Sequence, residues 1–274
     1  MNRMTTRFTF PPARLARIGA ALIFALGPMA LSGSAATILT DDFESYADTA
    51  ALNAVWPVGA GNDTQTFLDA GPAGSTNTSK TVHTTNRLGR RDRTFAATIP
   101  TLSEPLVVSY DLYDAAAGGN EYLQILAPNA AALTQLISIG KSNLGTTNGA
   151  NNPNKYQARV AFPSAGAGGV NWINLNTDRA IGWHRFSAEI FPTTVNFYVD
   201  GVLDTANVPR LSGVADPFTV VRLGSGLSTL AEVGYYDNVS ITTGVVPEPG
   251  TVTMLALGGL FGVATAWRKR RKPV

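Results

Sequence analysis

Apolar and polar residues alternate with a period of two along most of this chain, in short runs broken by Gly, Pro and Asn. That pattern predicts antiparallel strands, each with one face inward. Such runs cover 106–113, 121–126, 135–139, 156–162, 170–175, 184–191, 195–199, 219–223 and 233–242. No long segment has a helical period, and about a dozen short strands in one domain favour two packed sheets. The clearest hairpin has Phe186, Ala188 and Ile190 alternating with polar Ser187 and Glu189, and the alternation resumes at Val195, Phe197 and Val199. Asp200-Gly201 then supplies the two positive-φ positions of a tight turn. Residues 143–154, with five Asn and two Gly, read as a surface loop.

The two ends break the pattern. Arg3, Arg7, Arg14 and Arg17 precede an apolar stretch over 18–31, and Ser34-Ala35-Ala36 offers the small residues a signal peptidase reads. The expectation is a signal peptide over 1–36, cleaved after Ala36. At the other end, Pro247-Glu248-Pro249 is followed by an uncharged run over 251–267 and by Arg268, Lys269, Arg270, Arg271 and Lys272. Seventeen residues lie at the lower limit of the roughly 17 to 25 that span a bilayer as a helix. The basic cluster would hold that end in the cytoplasm, leaving the rest of the chain outside. Pro247 and Pro249 keep the motif extended, as a processing enzyme requires.

This order of parts resembles the PEP-CTERM sorting signal of Gram-negative bacteria, carried here over 246–274. The resemblance implies recognition by exosortase, a membrane-embedded transpeptidase-like protease. The membrane would then be a transient stop, followed by release to the cell surface or extracellular matrix.

Removing the ends reverses the sign of the charge. The whole chain is +2, but nine of the 21 Lys and Arg lie in the two targeting segments, and all 19 Asp and Glu fall within 37–248. Twelve against nineteen leaves that span near −7, which argues against nucleic acid as a partner. Arg87, Arg90, Arg91 and Arg93 form its only basic cluster and read as a solvated loop with local ion pairs. The absence of cysteine excludes thiol catalysis and cysteine metal sites, and His83 and His184 are too few for a multi-histidine zinc site.

Trp183-His184, the alternating strand after it and Phe197-Tyr198-Val199-Asp200-Gly201 resemble the WH…VDG pattern of laminin G-like and concanavalin A-like domains. Asp41-Asp42-Phe43-Glu44 and 235–241 are similar to the opening and closing strands of such jelly rolls. The resemblance implies an all-β, two-sheet antiparallel jelly-roll sandwich over 37–245, flanked by the signal helix and the transmembrane sorting helix. In that pattern His184 is a packed, hydrogen-bonded residue. The fold does not fix a function.

No Glu-x-Asp-x-x-Glu run is present, and Asp111 and Asp114 point to opposite faces of a strand, so a paired-carboxylate hydrolase is not indicated. The expectation is therefore a domain without catalysis that binds extracellular polysaccharide. The alternatives are a glycoside hydrolase or polysaccharide lyase acting on exopolysaccharide, and a passive structural or adhesive protein. Aromatic rings for stacking and amide or carboxylate groups for hydroxyls would serve a glycan, and Asp111, Tyr113, Tyr122, Gln124 and Trp172 could together line one sheet. Asp42 and Asp237, near chain ends that commonly pair, could hold one structural calcium ion. The expected partners are signal peptidase and exosortase during export, then polysaccharide.

Overall fold

The computed structural model describes residues 35–73, 79–115, 119–128, 133–142, 152–161, 172–210, 217–227 and 231–244. The N-terminal signal segment, Pro247-Glu248-Pro249, the apolar run and the basic tail lie outside the described residues. Among the described residues no helix is long and apolar enough to cross a membrane.

The first half of the chain forms β1 (Ala36–Asp41), α1 (Thr49–Val55), β2 (Val58–Ala60), β3 (Thr66–Ala70), β4 (Lys80–Asn86), β5 (Arg90–Thr98), β6 (Leu106–Asp114) and β7 (Asn120–Pro128). It continues through β8 (Leu133–Ser142), β9 (Lys155–Ala161), β10 (Ile173–Asp178), β11 (Gly182–Ile190) and β12 (Thr194–Val199). The last three strands are β13 (Val202–Pro209), β14 (Phe218–Leu223) and β15 (Ala231–Thr243). They form two antiparallel sheets. One has eight strands in the order β13-β12-β11-β6-β15-β4-β3, with β1 also on β15; the other has seven in the order β10-β9-β8-β7-β14-β5-β2. This is the all-β sandwich expected from the alternation.

The period-two pattern decides which side chains meet. Tyr110 and Leu112 of β6, Leu123 and Ile125 of β7, and Phe186, Ala188, Ile190, Val195, Phe197 and Val199 of the hairpin all enter one core. Shifting any of these strands by one residue would turn its apolar set out to solvent, so the core fixes the register. Asp200 and Gly201 adopt φ of 52° and 76°, as the tight turn requires, and pair Val199 with Val202. Helix α1 begins where the Asp48 carboxylate accepts the Ala51 N–H at 2.8 Å. It buries Leu52 beside Phe43 and Trp56, closing one side of the core.

The basic cluster is not a solvated loop. Arg90, Arg91 and Arg93 belong to β5, and Arg91 is fully buried. Its guanidinium donates to the Trp56 carbonyl at 2.7 Å, to the Thr66 carbonyl and to the Asn53 side chain, with Asp63 at 3.3 Å. Burial pushes its pKa down and Asp63 opposes the shift. Nothing in the local sequence separates such an arginine from an exposed one, because its acceptors come from three distant segments.

Candidate functional site

The eight-stranded sheet carries a row of aromatic rings on its outer face. Phe67, His83, Tyr235, Tyr113 and Trp183 are direct cross-strand partners, in that order, on β3, β4, β15, β6 and β11. Successive ring centroids lie 4.9, 4.1, 6.2 and 5.6 Å apart. The His83 and Tyr235 rings are stacked at 17°, while Tyr113 meets both its neighbours edge-on. Phe67, Tyr235, Tyr113 and Trp183 are half-buried, while His83, between Phe67 and Tyr235, is mostly covered, with its side chain 12% exposed. His83 is oriented by Asp69, whose carboxylate lies 2.9 Å from Nδ1.

The next row on the same face is charged. Arg185 pairs with Asp111 across β11 and β6, and Asp111 with Asp237 across β6 and β15. The Arg185 guanidinium donates to Asp111 at 3.0 Å and to the Ser109 hydroxyl at 2.8 Å. The Asn238 amide donates to the other Asp111 oxygen at 2.8 Å.

A cleft of about 450 Å³ opens here, lined in part by Thr40, Asp42, Ser45, Arg93, Arg185 and Asn238. Its cause is a change of partner along β15. Tyr236 still pairs with β4, whereas Val239 pairs with Asp41 of β1, and the ladder is irregular between Asp237 and Ser240. Asn238 takes a left-handed φ of 50° at that break. Asp41 is the hub of the cleft wall. It accepts from the Tyr46 hydroxyl at 2.5 Å, the Trp56 indole N–H at 2.8 Å and the Arg93 guanidinium. Burial and then the Asp41 carboxylate push the Tyr46 pKa up.

The outer face of the other sheet carries Tyr122, Gln124 and Trp172. Tyr122 and Gln124 alternate with core residues Leu123 and Ile125, and Trp172 meets Tyr122 at 5.0 Å. Gln124 donates to Ser138 at 3.2 Å and accepts from Arg222, which is held by Asp92 at 2.9 Å. Tyr122, Gln124 and Trp172 are nearly buried, at 2%, 5% and 7% exposure. The five residues expected to share one sheet are therefore divided: Asp111 and Tyr113 lie on one side of the sandwich, Tyr122, Gln124 and Trp172 on the other. Alternation fixes the outward face of each strand but not the sheet to which the strand belongs.

Asp42 is exposed beside the cleft, with one oxygen accepting the Glu44 N–H at 3.2 Å. Asp237 is buried and accepts the Asn238 N–H at 2.7 Å. Among the described residues no three His, Cys, Asp or Glu side chains group as a metal site would. His184 packs on Tyr156 at 5.2 Å, with Nδ1 2.8 Å from Asp200 and Nε2 3.0 Å from the Ala180 carbonyl.

A separate charged cluster sits inside the sandwich. Glu121 is buried and accepts from Thr84 at 2.9 Å and from the Tyr236 hydroxyl. Burial drives its pKa up to about 7, against the opposing pull of Lys141. Glu232 accepts from Arg87 at 2.7 Å and from the Asn120 N–H at 2.7 Å. Asp114 binds Arg179 at 2.8 Å, with the Lys141 ammonium at 3.6 Å. The sequence marked none of these residues as a group, nor Trp183, Tyr235 and His83 as a row. Only the strand order brings them together.

Residues 245–271 match the PEP-CTERM protein-sorting motif, so the chain carries a signal for export and sorting towards the cell surface. No curated protein matches the chain in sequence. Among solved structures it is similar to an endo-β-1,3-glucanase from Pyrococcus furiosus, at 16% identity and a TM-score of 0.50, covering 77% of this chain and 95% of that one. A Bacteroides ovatus family 16 glycoside hydrolase is similar at 12% identity and a TM-score of 0.50, covering 74% and 99%. An endo-acting O-glycanase of the human gut microbiota is similar at 14% and 0.50, covering 77% and 100%. These likenesses show a jelly-roll sandwich shared with carbohydrate-active proteins. They also correct the expectation of a domain without catalysis, because the neighbours that share the fold are glycoside hydrolases. The missing Glu-x-Asp-x-x-Glu run describes one strand, whereas groups on different strands can be brought together by the sheet.

Proposed function

We propose that this chain is a carbohydrate-active protein of the cell surface or extracellular matrix. Signal peptidase removes 1–36, residues 251–267 hold an inner-membrane intermediate, and exosortase acts at Pro247-Glu248-Pro249. The sandwich then engages extracellular polysaccharide at the cleft over β6, β15 and the segment after β1. One observation carries this reading. The cleft joins hydroxyl, amide and guanidinium groups of Thr40, Ser45, Asn238 and Arg185 to the adjacent aromatic row, the combination that orients a sugar by hydrogen bonds and ring contact.

The test is retention of the full chain, purified in detergent, on polysaccharide extracted from the producing cells. Arg185→Ala and Asn238→Ala should each weaken retention at least tenfold. Equal retention by both variants would remove the cleft from the reading. Added Ca²⁺ should raise the melting temperature of the chelated chain if Asp42 and Asp237 hold the ion; an unchanged value removes calcium.

A second reading, turnover of the bound glycan, is favoured by the Asp111 carboxylate, which Arg185 and Asn238 of the cleft wall hold at 3.0 and 2.8 Å. Release of reducing ends by the wild type, abolished in Asp111→Asn, would establish it. No release under conditions of full binding would overturn it.

A further inference from the structure

We infer that the five-ring row on the eight-stranded sheet is an extended subsite for a neutral, linear polysaccharide, laid across the strands so that several sugar rings meet it at once. The inference rests on the reading of the adjacent cleft as a polysaccharide site.

Three observations support it. The rings are in register from Phe67 to Trp183 over five neighbouring strands, so the row extends about 19 Å at the usual strand spacing. A single sugar needs no such length. The row is also continuous with the cleft, since Arg185, which lines it, stands two residues along β11 from Trp183, and its partner Asp111 two residues along β6 from Tyr113. Two residues of strand are about 7 Å, close enough for one chain to touch both rows. Finally, exposed apolar surface continues beside the rings: Val233, two residues before Tyr235 on β15, is 38% exposed, and Ile181, just before β11, is 70% exposed.

The chemistry narrows the occupant. Sugar rings present C–H faces to aromatic surface and hydroxyls to neighbouring polar groups, which suits half-buried rings bordered by Asp69, Asp111 and Arg185. A polyanion is disfavoured because the span between the targeting segments carries near −7. Arg185 and Arg93 do not reverse this, for each is held by a carboxylate, Asp111 and Asp41 respectively. The same net charge opposes pairing of two copies through this face.

The experiment titrates the full chain in detergent with mixed-linkage β-glucan, a neutral linear polymer, and with alginate, a polyanion, for the wild type, Trp183→Ala, Tyr113→Ala and the conservative Trp183→Phe and Tyr113→Phe. The expected result is binding of the glucan with at least tenfold preference over alginate. Each alanine variant should lose tenfold or more, and the phenylalanine variants should stay within about threefold, which separates ring contact from a folding defect. Wild-type binding that survives both alanine substitutions overturns the row while leaving the cleft reading intact. Failure of the wild type to bind the glucan, the alginate or the extracted polysaccharide overturns both. Preference for alginate overturns the neutral class. Sedimentation that shows a dimer lost in Trp183→Ala assigns the face to a second copy and overturns the subsite.

Discussion

The hydroxyl of Tyr236, on β15, donates a hydrogen bond to Oε2 of Glu121, on β7, joining the two sheets through a sealed carboxyl group. Two rings and a methyl-bearing side chain close on that carboxyl: Tyr236 is stacked with Tyr110, and Thr84 donates to the same oxygen. The carboxyl therefore reports the protonation state of the interior.

Its consequence is a pH dependence of definite sign. Burial raises the folded pKa from 4.5 to about 7, so the folded state binds the proton more tightly than the unfolded chain. The stabilisation is full below 4.5 and is lost as pH rises from there through about 7, with a magnitude on the order of 3 kcal/mol. Chemical denaturation should thus give a midpoint that falls as pH rises from 4.5 through about 7. Glu121→Gln should flatten the slope across that window; an unaltered slope would show that another group titrates there.

Gly234 faces the same carboxyl. A Cβ at this position would meet Glu121 Oε2 at 2.5 Å, closer than real Cβ atoms approach. Gly234→Ala should cost about 1 to 3 kcal/mol through overpacking. Combining it with Glu121→Ala should give a smaller loss than the sum of the two single substitutions, as a double-mutant cycle by urea denaturation would reveal.

Arg91 should be among the most sensitive positions. Its removal strands the Trp56 and Thr66 carbonyls in the interior, while Asp63 keeps the Asn53 amide. Arg91→Ala is expected to destabilise by about 2 to 5 kcal/mol, from two buried carbonyls left unsatisfied at about 1 to 3 kcal/mol each. Arg91→Lys should not rescue it, because an ammonium lacks the fork that reaches acceptors on both sides. Recovery of wild-type melting by Arg91→Lys would count against this account.

The sorting motif makes a prediction of its own. Glu248→Ala should leave the chain in the membrane fraction at its unprocessed size, whereas the wild type is released in a shorter form. Fractionation and immunoblotting read the difference directly, and equal release of both would leave 251–267 as an ordinary anchor.

The sequence by itself determined what depends on local order. Alternation in β6, β7, β11 and β12 announced strands and named their inward residues, and Asp200-Gly201 announced its turn, because side-chain direction and positive φ are properties of consecutive residues. The tail was legible for the same reason, since Pro-Glu-Pro, an apolar run and a basic stop are read in line. Only the tertiary structure decided which strands are neighbours. The order β3-β4-β15-β6-β11 assembled Phe67, His83, Tyr235, Tyr113 and Trp183 into one row from segments far apart in the chain. It also placed Asp111 opposite Asp237, sent Tyr122 and Gln124 to the other side of the sandwich, and buried Arg91 among acceptors from α1 and β3. Strand pairing is set by packing between distant segments, and a pattern of period two is the same whichever sheet a strand joins.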